Sequence, residues 1–238
     1  MLPAAIQEEW KAACQCKLEM LHECKVYEVV DLPKGQNVIS NHWIFDVKID
    51  GWKCAQLVAK SFSQVEGIDI NQIFSLVVRF ETVHLMLALY ALENWYINTL
   101  DIWNAYLYEK LKEEIYMKQP EGFRVPRQEH KVFHLLCALY GLKQAGFTWW
   151  ETLNESMKDL GFECLKSNAG IFLFCKKKTS IVVAVIYVDD ALFCGPIKDL
   201  VDKVKCAFMH KWECRDLGPA KEFLYMRIQR NGSKILID

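Results

Sequence analysis

Apolar residues follow three rhythms along this chain, and each predicts a different kind of element. The first is helical. Ile6, Trp10, Cys14, Leu18 and Leu21 share one face, so about the first 20 residues predict an amphipathic helix. Trp149, Trp150, Leu153, Met157 and Leu160 make a second stripe from Gln144 onward, closed by Gly161. Leu200, Val201, Val204 and Phe208 make a third. Residues 82–92 are apolar nearly all round, the mark of a helix buried on every side. The second rhythm is that of short β-rich runs between turn residues. These cover 26–32, stopped by Pro33-Lys34-Gly35; 43–49 and 54–60 around Asp50-Gly51; and 96–101, ending on an acid. Further runs are 114–118, 132–136, and 223–228 with 234–237 around Asn231-Gly232. The third rhythm is the unbroken apolar run 181–195, interrupted only by Asp189-Asp190. It predicts two buried strands joined by a tight turn. Helices and strands intersperse and no glycine-rich linker divides the 238 residues, so the class is α+β or α/β.

Two adjacent carboxylates between buried strands are costly unless solvent or a cation compensates them. The tip is therefore either an ordinary solvated turn or a hard-oxygen site for a divalent metal. Asp101, at the end of another strand, is the partner such a site needs. A strand-end acid, a separate Asp-Asp turn and a basic, Gln-bearing helix start between them suit phosphoryl transfer through two divalent ions. Composition narrows the rest. Hydrophobic content of 52% is ample for a core, and Lys+Arg 29 against Asp+Glu 30 gives no global basic field, although a balanced total can conceal a basic channel. The ten cysteines contain no CxxC pair, no signal-peptide pattern opens the chain, and the apolar runs are too short to span a bilayer. Reduced thiols in an intracellular protein, without a membrane partner, are expected.

Tyr187-Val188-Asp189-Asp190 resembles the YxDD box of reverse transcriptases, and its surroundings are similar to those of copia-type (Pseudoviridae) retrotransposons. Leu57-Val58-Ala59-Lys60 with Phe62, then Gln64-x-x-Gly67-Ile68-Asp69, matches one stretch of that family. Leu100-Asp101-Ile102 with Ala105-Tyr106-Leu107, followed by Glu114-Ile115-Tyr116-Met117 and Gln119-Pro120-x-Gly122-Phe123, resembles its first-acid block. Ala138-Leu139-Tyr140-Gly141-Leu142-Lys143-Gln144-Ala145 is its most distinctive string, and Asp216-Leu217-Gly218 sits where a late motif belongs.

The resemblance implies an α+β fold: the fingers and palm of a right-hand polymerase, with a central antiparallel sheet carrying the hairpin and the thumb largely absent. A single domain would span 1–238, mainly fingers over about 1–98 and mainly palm over about 99–238, with a fingers segment around 112–145. RNase H, integrase and protease domains would be missing. The implied activity is RNA-directed DNA synthesis, with dNTPs and an RNA or DNA template-primer duplex as partners beside other retrotransposon Pol domains. Its implied setting is the cytoplasm, in a virus-like particle for an intact element, with the nucleus as the alternative. Asp101, Asp189 and Asp190 would hold two Mg²⁺, with Mn²⁺ as a substitute and the Ile102 backbone carbonyl as an extra ligand. Tyr106 would pack under the incoming sugar and clash with a 2′-OH. Lys143 and Gln144 would touch the nucleotide, and Lys60 template or nucleotide phosphate.

Departures from the family pattern carry their own expectation. Cys54, Gln56 and Cys137 stand where basic residues are common, Ser61, Glu109 and Tyr225 where Gly is, His84 where Arg is, and Asn168 where Asp is. Gly146 and Phe147 replace the usual Pro and Arg. Many of these swaps are the outcomes of C-to-T changes on either DNA strand, which points to a decaying copy. Its alternative function is a silent remnant that at most binds nucleic acid or protein.

Overall fold

The helical stripe at the start folds as α1 (Ala4–Glu23), with Cys14, Leu18 and Leu21 buried. The computed structural model of the chain describes residues 4–47, 51–65, 78–108, 110–177, 180–224, 226–232 and 234–237. Expectations placed on Ile49, Asp50, Gly67, Ile68, Asp69, Glu109 and Tyr225 lie outside them. Four short strands follow: β1 (Tyr27–Val30), β2 (Val38–Ile39), β3 (Asn41–Val47) and β4 (Lys53–Ala59). Then come α2 (Phe80–Leu92), β5 (Tyr96–Ile102), β6 (Lys110–Lys118), β7 (Val132–Cys137) and α3 (Ala145–Asp159). The second half holds β8 (Phe162–Leu165), β9 (Asn168–Cys175), β10 (Ile181–Tyr187), β11 (Asp190–Gly195) and α4 (Lys198–Met209). It closes with β12 (Cys214–Pro219), β13 (Glu222–Phe223), β14 (Met226–Asn231) and β15 (Lys234–Ile237). The architecture is α+β. Among the described residues no helix is long and apolar enough to cross a membrane.

Two compact units divide the chain: Met1–Ser75 with Tyr106–Thr148, and Leu76–Ala105 with Trp149–Asp238. In the first, a four-stranded sheet of order β1-β7-β6-β2 stands beside the β3-β4 hairpin. Leu18, Leu21, Ile39, Leu57, Ile115, Phe133 and Leu135 share its core. Buried Gln119 closes the loop that follows β6. Its amide donates to the carbonyls of Gln128 (2.7 Å) and Lys131 (2.9 Å), while its Oε1 accepts the Val125 N–H at 2.8 Å. At the end of β4 the Ala59 N–H donates to the Tyr140 carbonyl at 2.8 Å. The next residue, Gly141, has φ 89°, and a Cβ there would stand 2.1 Å from the Ala59 oxygen. The distinctive string around Gly141 is thus a place of close backbone approach, which only glycine permits.

The second unit is built on a six-stranded antiparallel sheet of order β12-β5-β11-β10-β9-β8. Alternation along β10 and β11 sends Val183, Val185, Leu192 and Cys194 to the face shared with α2 and the last strands. Phe193 turns the other way, onto Phe208 of α4 with ring centroids 5.4 Å apart. Both faces are covered, which is why the run is continuously apolar rather than alternating.

Three expectations need correction. The helix over 82–92 is α2, but only Val83, Leu87 and Tyr90 are buried; Leu85 is 58% and Leu92 79% exposed. Only one side of it meets the sheet, and composition cannot say how many sides a helix covers. Residues 223–228 are not one strand. Phe223 ends β13 and pairs with Met226 of β14, with Leu224 between them at φ 51° and no Gly or Asn to signal the reversal. The turn between β10 and β11 consists of Val188-Asp189, and Asp190 already belongs to β11.

Strand β12, unforeseen as a strand, holds the outer side of β5. Its Asp216 accepts two bonds from Lys205 Nζ of α4, at 3.0 and 2.8 Å, and one from the Gly218 N–H at 2.9 Å. The Lys205 side chain is 7% exposed and that of Asp216 41%. Burial alone would raise the Asp216 pKa; the Lys205 bond, the Gly218 amide and the Lys205 charge outweigh it and hold the carboxyl below its ordinary value.

Gly141→Ala should destabilise the chain by well over ~1 kcal/mol, because φ and space both forbid the methyl. Gly122→Ala, at φ 81° with nothing within 4 Å, should cost only about 1 kcal/mol, so urea midpoints separate the two. Lys205→Met should cost about 1–3 kcal/mol, below the range for a fully buried pair because Asp216 is half in water. A carboxylate with a depressed folded pKa stabilises above its unfolded pKa and stops doing so as pH falls through the folded one. The gap between parent and Lys205→Met should therefore narrow as pH drops below about 4.

Candidate active site

Strand register brings the first two acids together. β5 and β11 pair with Asp101 opposite Asp190, so both side chains project from the same face at adjacent strand ends. Like charges placed directly opposite repel, and the repulsion falls when a cation sits between them. Asp189 occupies the turn that the Tyr187–Asp190 pair closes. All three carboxylates are half-buried.

The turn is strained and tied. Val188 has φ 57°, the left-handed region where a β-branched residue is an outlier. Such a residue costs roughly 1–3 kcal/mol and persists only where its surroundings over-determine it. Two donors meet the turn's two carbonyls. The Ile102 N–H of β5 donates to the Asp189 oxygen at 2.7 Å, and the Trp149 indole N–H of α3 donates to the Val188 oxygen at 3.1 Å. Trp149 is buried and meets Trp212 edge-on at 4.9 Å; Trp212 in turn donates to Ser156 Oγ at 3.0 Å.

On the other side of β5, the register sets Arg215 opposite Asp101 and Cys214 opposite Ile102. Burial pushes the Cys214 thiol up to about 12, with the carboxylates of Asp101 and Glu213 adding to the shift. It stays neutral near pH 7 and adds no third negative charge beside Asp101.

The other residues singled out by sequence belong to the first unit. Tyr106 lies in a short 3-10 turn, half-buried, its ring edge-on to Tyr140 at 4.6 Å. Lys60 and Lys143 are half-buried. Gln144, 4% exposed, accepts the Gln64 amide N–H at 2.9 Å, and Gln64 Oε1 accepts the Lys143 backbone N–H at 2.9 Å. Cys54 and Gln56 lie on β4, and Cys137 is buried at the end of β7.

Sequence reading missed the hydrogen bonds of Trp149 and Gln64 and the place of Arg215 opposite Asp101. Trp149 read as one more core residue, because a stripe reports which face is buried and not which carbonyl an indole meets. Arg215 becomes visible only through the register of an unforeseen strand.

Among the described residues no group of three or more His, Cys, Asp and Glu side chains is gathered to hold a metal ion. The Asp101/Asp190 pair fits a divalent cation in another way. Mg²⁺ is commonly bound by one or two carboxylates, with water and substrate phosphates completing its shell.

A family model described as reverse transcriptase (RNA-dependent DNA polymerase) matches residues 24–238. The chain is 37% identical over 224 residues to the retrovirus-related Pol polyprotein from transposon TNT 1-94 of Nicotiana tabacum, covering 92% of this chain and 17% of that protein. It is 29% identical over 236 residues to the corresponding polyprotein from transposon RE1 of Arabidopsis thaliana, covering 96% of this chain and 16% of that protein. The chain thus spans about a sixth of the length of these relatives. Among solved structures, a foamy viral protease-reverse transcriptase in complex with double-stranded DNA aligns with a TM-score of 0.49 and 14% identity, over 97% of this chain and 35% of that one.

Proposed function

Because the chain belongs to the reverse transcriptase (RNA-dependent DNA polymerase) family, in its copia-type retrotransposon branch, we propose that it is a polymerase core extending a DNA primer on an RNA or DNA template. The register that sets Asp101 against Asp190 carries this reading. In it, the unit Met1–Ser75 with Tyr106–Thr148 is mainly fingers, and the unit Leu76–Ala105 with Trp149–Asp238 mainly palm.

Asp101, Asp189, Asp190 and the Ile102 carbonyl would hold two Mg²⁺ or Mn²⁺, which supply charge neutralisation and activation of the primer 3′-oxygen when bound. The chain's own part is positioning. The β5-β11 register keeps Asp101 and Asp190 at paired positions on one face, so they need not be gathered at the moment of reaction. Tyr106, held edge-on by Tyr140, is the sugar-reading surface that rejects a 2′-OH. Lys143 and Gln144, the latter braced by Gln64, would touch the nucleotide and its phosphates, and Lys60 would meet template or nucleotide phosphate. Template-primer duplex, dNTPs and other Pol domains are the partners. The setting for an intact element is a cytoplasmic virus-like particle, with the nucleus as the alternative.

A second reading, a silent remnant, rests on the family pattern: β4 carries Cys54 and Gln56 where the resemblance implies basic residues, the latter in the part expected to grip triphosphate. Fewer cations there would weaken polymer binding and flatten its salt dependence.

Primer extension on a primed RNA template with dNTPs and Mg²⁺ decides between them. Extension is expected, with Asp189→Asn/Asp190→Asn slowing it at least about 10³-fold. Folded protein that melts cooperatively yet extends nothing would establish the remnant. Where extension occurs, Tyr106→Ala should raise rNTP incorporation relative to dNTP by about tenfold or more, as expected when a steric exclusion is removed.

A further inference from the structure

Resting on the polymerase reading above, we propose that Trp149 is a positioning residue: its indole N–H holds Val188 in the left-handed conformation and so sets where Asp189 stands. The turn lacks the chemistry that would make this backbone comfortable. Two-residue hairpin turns reach positive φ with Gly, Asn or Asp, and here the residue at φ 57° is a valine. Something outside the turn must keep it there.

Among the described residues, two hydrogen bonds act in this way on successive carbonyls. The Trp149 indole reaches the Val188 oxygen from α3, and the Ile102 amide reaches the Asp189 oxygen from β5. Fixing both carbonyls fixes the peptide planes on either side of Asp189, and with them the direction of its side chain. The indole is well anchored for this task. Trp149 is 3% exposed and wedged against Trp212. Its neighbour Trp150 donates its own indole N–H to the Ala169 carbonyl at 2.8 Å. Two consecutive tryptophans thus fasten α3 to two separate points of the same unit. The register pair of Asp101 and Asp190 is set by β5 and β11, whereas Asp189 lies in the turn, where these two bonds hold the peptide planes on either side of it.

Hydrogen exchange on the whole chain without metal tests this directly. In Trp149→Phe, which keeps a ring and loses the donor, the Ile102 amide should exchange about tenfold faster, the loss expected of one hydrogen bond. Residues 182–186 of β10 should keep their protection, and adding Val188→Gly should restore that of Ile102, because glycine holds the same φ without help. Trp149→Phe exchange at Ile102 equal to the parent's would overturn the proposal. So would a common rise across Ile102 and β10, the signature of packing alone, or a failure of Val188→Gly to restore. Titration with Mn²⁺ alone, read by electron paramagnetic resonance, then separates this inference from the polymerase reading. Trp149→Phe should weaken Mn²⁺ binding several-fold. Parent binding indifferent to Asp189→Asn/Asp190→Asn would count against the catalytic assignment, while the exchange pattern still decides the role of Trp149.

Discussion

The β5-β11 register that pairs Asp101 with Asp190 is the constraint on which the candidate site of the second unit depends. A sheet keeps two carboxylates at paired positions only while the strands that carry them stay in register. Both faces of that sheet are covered, by α4 with Phe193 and Phe208 on one side and by α2 with the last strands on the other. The outer flank of β5 is clamped through β12, whose Asp216 takes the amine of a lysine buried in α4. Apolar burial and one charged clamp thus bear on the same strand.

Much of this was legible in sequence, and the reasons differ by element. The hairpin 181–195 announced itself because a fifteen-residue apolar run with no helical period has few other structures open to it. The helices α1, α3 and α4 showed their inner faces by spacing. What spacing cannot show is the far side of an element: α2 is as apolar outside as inside, so Leu85 and Leu92 looked buried and are not. Nor can it show a reversal without turn residues, as at Leu224, or a conformation that local chemistry disfavours, as at Val188. These are tertiary effects overriding local preference, and the one at Val188 lies in the candidate site, where such conflicts are expected.

In the first unit several motif residues turn out to shape backbone. Gln119 satisfies three backbone groups of one loop, Gly141 admits a carbonyl that no side chain would, and Gln64 braces both Lys143 and Gln144. A motif residue can therefore serve chemistry by fixing the chain that presents it. Lys143 and Gln144 owe their setting to a glutamine about eighty residues earlier in the chain.

The strand order of the six-stranded sheet has a consequence for how the chain is made. β5 is an interior strand, yet both its neighbours, β11 and β12, are synthesised long after it. At ordinary translation rates, about ten seconds pass between the emergence of Asp101 and that of the last residue of β12. Until β11 emerges, an apolar strand carrying an acid near its end has no neighbour of its own sheet. A growing chain must shelter β5 or keep it in solution until its C-terminal half arrives, so interruption of synthesis before residue 219 strands the very segment that bears the first carboxylate.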